Sequence, residues 1–397
     1  MPHRGLSGTN LKFARNHNVR VTLQAVRVHG PVSRPELAQI MGLTPQAIAY
    51  LCRELLDDGM IIETGRRRGG RGQPAAELSI NPDGGYALGV NIDRDHLTVI
   101  LTDLAGTVRA RMHWEENFLL PDEVFRRIER AYGALLEEVG LVPDDLAGVG
   151  LAMPYRLGYL RTEYTPRSYA AWRDVPAGER LRELTGRPVF LENDASAAAY
   201  GEIHYGLGID YKNFFYLFMG VGLGGGLVVN GDYVPGTDGL GGEIGFIPAT
   251  NGSGQPKDNR NIEAEVSMAA LYSRLKEEGI DVSTLEQLGA LHKKGSQTIN
   301  QWMDDGAAHL LMTLITIICV VNPEAILFGG RLPPALIDDF IVDIEKKLLP
   351  FRSNLPNFPP ILRSTSSPEA AAMGAAILPF SNLFLPRRRG MMIRGDT

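Results

Sequence analysis

In the stretch LENDASAAAYGE, residues 191–202, Asn193 and Asp194 stand where a strand-like PVFL gives way to a run of small residues with helical character. A carboxylate fixed at such a corner can accept a hydrogen bond from a hydroxyl. Beside a phosphoryl donor it can also remove the hydroxyl proton. It can equally cap the helix that follows it. Phosphoryl transfer needs a second component, backbone N–H groups close to phosphate oxygens, which glycine permits and side chains block. The candidate cradles are the glycine-rich turn Gly220 to Gly226 and the pair Gly329 and Gly330.

A different chemistry is written near the N-terminus. Arg66, Arg67, Arg68 and Arg71 crowd into GRRRGGRGQP, between two short strand-like runs. The segment before them, SRPELAQIMGLTPQAIAYLCRELLDDGMI, carries its own helix punctuation. Ser33 and Glu36 form a capping box; Gly42 breaks the helix; Thr44 caps the next one, with Pro45 at its first position. In that second helix Ile48, Leu51, Cys52 and Leu55 fall on one face, leaving Gln46, Ala49, Tyr50 and Arg53 outward. Upstream, Val19, Leu23 and Val26 predict a further helix. Two short helices joined by a tight turn make a helix-turn-helix, and the arginine-tipped hairpin is its wing. Thr44, Gln46 and Tyr50 lie at the helix end that reaches base edges and Arg53 is placed for phosphate. Arg66, Arg67, Arg68 and Arg71 are placed for the backbone or an adjacent minor groove. Winged helices also mediate protein contacts, but capping, turn, wing and charge together favour DNA.

The charge distribution agrees. Residues 1–80 carry eleven Lys/Arg and six Asp/Glu, a balance of +5, which leaves −11 on the other 317 residues. A basic head on an acidic body assigns contact with a polyanion to the head alone. At 397 residues, 44% hydrophobic and 22% charged, the chain is expected to divide into a few domains of a globular protein. The apolar run LLMTLITIICVV (310–321) reads as too short and too interrupted for a bilayer span. MPHRGLSGTN lacks the apolar core of a signal peptide. Cys52 and Cys319 form no metal motif and read as buried thiols. A cytoplasmic protein without a membrane partner is expected.

From Gly84 strands alternate with helices. YALGVNID and HLTVILTDLAGTV read as adjacent strands, DEVFRRIERAYGALLEEV as a helix and AGVGLAMP as a strand. NFFYLFMGVGLGGGLVVNGDYV, AILFGGRL and PEAAAMGAAIL then repeat the arrangement as hairpin, strand and helix. Two α/β halves facing a cleft are expected. Taken with GLTPQAIAYLCRELLDDGMI, LENDASAAAYGE, GVGLGGGLVVNG, GTDGLGGEIGFIP and VVNPEAILFGGRL, the chain over residues 10–380 resembles the transcriptional regulators of the ROK family (repressors, open reading frames and kinases). The resemblance implies an N-terminal winged helix-turn-helix followed by a two-lobed α/β, actin-like (ribonuclease H-like) sugar kinase fold, usually dimeric or tetrameric. The expected divisions are 1–80 for the head, 81–200 for the first lobe and 201–367 for the second lobe with cleft and dimerisation surface. The closing helix 368–380 returns to the first lobe.

The resemblance further implies that Asn193, Asp194 and Glu243 contact sugar hydroxyls. Several positions depart from the family pattern. Its Asp-x-Gly-Gly-Thr phosphate turn is Asn91 with Asp93, Arg94 and Asp95, so two carboxylates are expected to face the phosphate position and repel it. Its zinc ligands are replaced by Phe246, Gly254, Pro256 and Asn261, beside a retained Glu263, and no metal or other cofactor is expected. Arg167 stands for a sugar-binding asparagine, and Tyr155 and Arg156 replace a small residue. Arg156 and Arg167 allow an acidic or phosphorylated ligand, or simply line the surface. The reading is a sugar-responsive, non-enzymatic DNA-binding regulator, a repressor of carbohydrate genes. It would act as a homo-oligomer on double-stranded operator DNA. The alternative is an ATP-dependent sugar kinase with an accessory DNA-binding head.

Overall fold

The computed structural model describes residues 11–67, 75–155, 157–159, 166–250, 256–365 and 369–385. Arg68, Arg71, Arg156 and Gly254 lie outside them, and for Arg66 and Arg67 only the backbone is described.

Helix α1 (Leu11–His29), strand β1 (Val32–Ser33), α2 (Arg34–Met41) and α3 (Pro45–Asp57) precede β2 (Ile61–Arg67) and β3 (Ala75–Ile80). The helix ends follow local chemistry. Ser33 N donates to Glu36 Oε2 at 2.8 Å while Glu36 N donates to Ser33 Oγ at 3.4 Å, closing the capping box. Gly42 takes φ 63°, the left-handed conformation that ends α2. Thr44 Oγ1 accepts from Ala47 N at 3.3 Å to start α3. Leu23, Val26, Leu37, Ile48, Leu51, Cys52, Leu55 and Leu78 are buried together, so α1, α2 and α3 close over a three-stranded antiparallel sheet of order β1-β3-β2.

The body follows as β4 (Tyr86–Ile92), β5 (His96–Asp103), β6 (Val108–Glu115), α4 (Pro121–Val139), β7 (Leu146–Ala152), α5 (Ala177–Thr185) and β8 (Val189–Glu192). HLTVILTDLAGTV is two strands, because Asp103 Oδ1 accepts from Thr107 N at 2.9 Å and Gly106 turns the chain at φ 89°. Helix α6 (Asp194–Tyr205) leads to β9 (Phe214–Met219), β10 (Leu223–Val229) and β11 (Asp232–Tyr233). A small pair, β12 (Pro248–Thr250) and β13 (Pro256–Asn261), is followed by helices α7 (Glu263–Val266), α8 (Met268–Glu277), α9 (Leu285–Lys293) and α10 (Gln297–Val321). The chain ends with β14 (Ala325–Gly330), α11 (Pro334–Leu348), β15 (Ile361–Arg363) and α12 (Ala370–Leu383).

The two large sheets have the orders β6-β5-β4-β7-β8 and β11-β10-β9-β14-β15. In each, the first strand pairs antiparallel with the second and parallel with the fourth. One topology is therefore used twice, as the duplicated α/β pattern requires. Between the sheets lie α12 and α6, both built of small residues. Gly89 and Gly150 leave room for the α12 backbone, since a Cβ at either would overlap the Ala372 or Ala375 carbonyl oxygen. Gly374 of α12 likewise leaves room for Ala197 O of α6. Gly224 and Gly226 of β10 admit Ala195 and Ala199 on the other side of α6.

Two expectations need correction. Helix α10 runs 25 residues and is long and apolar enough to cross a membrane. Its Trp302, Leu310, Leu314 and Ile318 are buried in the core of the second sheet with Phe340 of α11. The apolar run seen in the sequence was only its second half. Cys52 is buried but Cys319 is exposed, because the helical period gives the inner face to Leu314, Ile317 and Ile318.

The α6–α12 contact makes a direct prediction. Gly374→Ala forces a methyl group against the Ala197 carbonyl and should destabilise the protein by about 1–3 kcal/mol. Gly133→Ala, on an open face of α4 with nothing near its added Cβ, should be neutral or stabilise by up to about 1 kcal/mol. Thermal melts of the two variants should move in opposite directions. Equal shifts would show that the helices do not pack backbone to backbone.

Candidate functional site

Asp194 occupies the first position of α6, and Asn193 is the cap. Asn193 Oδ1 accepts from Ala195 N at 3.0 Å and from Ser196 N at 3.4 Å. Asp194 Oδ1 also accepts from Ala195 N, at 2.8 Å. Capping therefore does not depend on Asp194, which lines a cleft with Arg94, Tyr155, Asn193, Glu243, Phe246 and Glu263. Glu243 sits just before the short turn Ile244–Phe246, and Glu263 Oε2 accepts from Leu223 N at 3.0 Å. Burial pushes the Asp194 carboxyl up to about 7. Nearby Asp93 adds to the shift, against the Ala195 amide and the Arg94 guanidinium. Glu243 is raised as well, by burial and then by Glu263. Carboxylates so placed can accept hydrogen bonds from hydroxyl groups. Arg167 opens the turn Arg167–Trp172 as an exposed residue and is not part of the cleft lining.

The turn between β4 and β5 is filled by its own side chains. Asn91 Nδ2 donates to Ala152 O at 3.2 Å, which aims its Oδ1 at His96 Nε2, 2.7 Å away. His96 Nδ1 meets Asp95 Oδ1 at 2.5 Å. From the second sheet's side, Arg331 Nη2 lies 3.6 Å from Asp95 Oδ2 and 3.3 Å from Glu115 Oε1. Burial alone would raise the Asp95 carboxyl, but His96 and Arg331 outweigh it and hold Asp95 well below the usual range. His113, 5.8 Å from His96 between ring centroids, is depressed to about 4 by burial and then by the Arg331 charge.

This corrects the expectation of two free carboxylates repelling phosphate. Asp95 is paired, and Asp93 Oδ1 accepts from Arg94 N at 2.7 Å with Arg94 Nε at 3.8 Å. The Arg94 side chain, 14% exposed, reaches into the same cleft, where Asp93, Glu263 and Asp194 hold it charged against the cost of its burial. The second glycine cradle is also reassigned. Only residues 220–222 form a turn, with Gly220 N donating to Gly222 O at 2.9 Å, while Gly224 to Gly226 belong to β10. Gly329 makes room for Tyr216 and Ser364. Gly330, at φ 113°, turns the chain so that Arg331 N donates to Met219 O at 2.7 Å. Sequence reasoning missed Arg331 and placed Arg94 only in the altered phosphate turn, without its part in the cleft. Their signal was a charged DRD in a strand turn and an arginine directly after Gly-Gly.

Of the positions expected to have lost zinc ligands, Phe246 is exposed at the cleft, and Asn261 Oδ1 accepts from Ala264 N at 3.0 Å. Asp93, Asp95 and His96 bring ligand atoms within 4.8 Å of one another, but Arg94 and Arg331 already supply the cations beside them.

With the cleft and the two topologically equivalent sheets in view, comparison with known proteins places the chain. Residues 87–381 match the model of the ROK family. The chain belongs to the ROK family. A xylose repressor of Bacillus spizizenii is 26% identical over 368 residues, covering 91% of this chain and 94% of its own. A solved ROK family transcriptional regulator, described as a homologue of the E. coli MLC protein, superposes with TM-score 0.66 at 22% identity. It covers 92% of this chain and 96% of that one. A glucokinase of Halalkalibacterium halodurans is 32% identical over 213 residues, but these are 48% of this chain and 63% of the enzyme. The fold is thus the actin-like, sugar kinase type with mixed sheets.

Asp194 gives this ROK protein a predictable pH response. Its ordinary carboxyl value is 3.8 and its folded value about 7, so the unfolded chain releases the proton first. The stability that Asp194 contributes should be lost as pH rises from about 4 to about 7. His113, depressed to about 4, works in the opposite direction in wild type and variant alike, so it is the melting-temperature difference between wild type and Asp194→Asn that should decline from pH 4 to 8. Parallel profiles would exclude a buried, raised carboxyl at 194.

Proposed function

We propose that this protein is a sugar-responsive DNA-binding repressor of carbohydrate genes, a sensor built on a kinase fold that no longer transfers phosphate. The observation that carries the reading is the occupied turn between β4 and β5. Asp95, His96, Arg331 and Glu115 form ion pairs and hydrogen bonds where a kinase needs a nest of backbone donors. The hydroxyl-facing carboxylates of the neighbouring cleft remain open. General-base chemistry requires a phosphoryl group beside the base, and nothing here favours one. The kinase alternative keeps two supporting observations, the retained Asp194 and the 32% identity to a glucokinase over 48% of this chain.

We read residues 1–80 as a winged helix-turn-helix, with α3 as recognition helix and β2–β3 as wing. Gln46, Tyr50 and Arg53 are exposed on the outer face of α3, and relatives named as repressors match this chain beyond the ROK-matched segment. A cytoplasmic dimer on a two-fold operator suits a single recognition helix per chain. Among the described residues of the cleft, one guanidinium, Arg94, stands with Asp93, Asp194, Glu243 and Glu263. That balance suits a neutral polyhydroxyl ligand, whose hydroxyls donate to carboxylates and accept from arginine, better than an acidic one.

The test selects a duplex from a random library with full-length protein, then compares variants on it. Gln46→Ala should relax sequence preference. Arg53→Ala should weaken all duplexes and lower the salt slope by about 1. In parallel, a thermal-shift panel of neutral sugars, sugar acids and sugar phosphates identifies the effector. Asp194→Asn should weaken effector binding about ten- to hundredfold, the equivalent of roughly 1.5–3 kcal/mol for a charged acceptor. Full duplex binding by residues 81–397 alone would reject the assignment of the head.

A further inference from the structure

Helix α6 starts in the cleft at Asp194 and ends at Tyr205, roughly 18 Å away at 1.5 Å per residue. Its far end meets the N-terminal head. The last carbonyls of a helix have no partner within it, and His204 O is one of these. Arg27 of α1 donates to it from Nη1 at 3.0 Å, and its Nη2 lies 2.6 Å from His204 Nδ1. The same guanidinium lies over the Tyr205 ring, 5.3 Å from its centroid. Gln24 Oε1 accepts from Arg27 Nε at 3.1 Å and from Nη2 at 2.9 Å, which fixes the fork before it reaches the body. Two turns earlier on α1, Arg20 Nη1 donates to Leu385 O at 3.1 Å and to Asn382 O at 3.4 Å, at the end of α12. Seven residues apart, the two arginines share a face of α1. Each puts positive charge at the negative pole of a helix.

These contacts join the ligand cleft to the head through rigid parts. Helices α6 and α12 approach each other through small residues, Gly201 beside Gly374 and Gly374 beside Ala197, a surface that permits small sliding of one packed helix on the other. A displacement of the Asp194 end is carried along α6 to His204. Helix α1, in turn, shares its core with α3 through Leu23, Val26, Ile48 and Leu51. We infer that Arg20 and Arg27 are positioning residues that lock the head to the ends of α12 and α6, so that the recognition helix follows the state of the ligand cleft. The inference rests on the sensor reading above and names how the cleft regulates the head.

The experiment uses full-length protein with Arg20→Ala/Arg27→Ala, Arg27→Lys and wild type, and D-xylose and D-glucose as neutral probes. In the wild type a probe that raises the melting temperature should change affinity for the selected duplex by roughly 5–150-fold, the usual span of allosteric coupling. The double alanine variant should bind probe and duplex separately as the wild type does, with the coupling reduced to near one. Arg27→Lys should restore part of it, because an ammonium reaches a carbonyl but lacks the planar fork. A purely structural role would lower melting temperature and leave the coupling in place. Full coupling in the double variant overturns the inference. If neither probe binds, the sensor reading is what has failed for these sugars, and the clamp is judged by hydrogen exchange without ligand. There the double variant must exchange faster at residues 199–205 and 378–385 with 325–348 unchanged; unaltered exchange at the two helix ends overturns it.

Discussion

The contact between α6 and α12, backbone against backbone between two sheets, is the constraint on which the rest of the molecule depends. Gly374 must lack a side chain for Ala197 O to approach, and Gly89 and Gly150 must lack one for α12 to reach its sheet. Gly224 and Gly226 impose the same condition on the other side of α6. Once these surfaces meet, α6 starts at the cleft. Asn193 satisfies its first amides, and Asp194 is left with a carboxyl whose burial raises it to about 7. Of the glycines that would be taken for a phosphate cradle by composition, Gly224 and Gly226 serve this packing.

The second determinant is electrostatic. A nucleotide-using cleft presents backbone donors and waits for an anion. This one brings its own anions and cations. Arg331 approaches Asp95 and Glu115 across the cleft, and Arg94 divides its side chain between Asp93 and the ligand-facing carboxylates. In such a buried set each charge is tolerable because its partners are present, and removing one partner typically costs about 3–5 kcal/mol. The network ties the residue that follows β14 to the β4–β5 turn and to β6. On the sensor reading proposed above, the same side chains account for a kinase-like fold that keeps Asp194 and Glu243 at its cleft without a catalytic role.

Local chemistry was legible in the sequence. The Ser33–Glu36 box, the Thr44–Pro45 start and the inward face of α3 follow from residues within four positions of one another, and all stand as read. The duplicated sheets followed from strand and helix periodicity. What was hidden is long-range. Glu115 and Arg331 are 216 positions apart, and Arg27 and His204 are 177 apart, so neither pairing leaves a trace in local pattern. Gly224 to Gly226 were assigned to a turn because composition cannot distinguish a loop glycine from one that makes room for a helix. Cys319 was placed inside for a related reason: an apolar run does not reveal which side of α10 faces the core.

Whether the cleft takes a nucleotide separates a sensor from a kinase. Titration calorimetry of the full-length wild type with Mg–ATP, alone and after saturation with the sugar giving the largest thermal shift, addresses this directly. Because the turn between β4 and β5 is occupied by Asp95, His96, Arg331 and Glu115, no heat of nucleotide binding is expected in either titration, while the sugar itself binds. Stoichiometric Mg–ATP binding that strengthens when the sugar is present would contradict the account and restore the kinase reading.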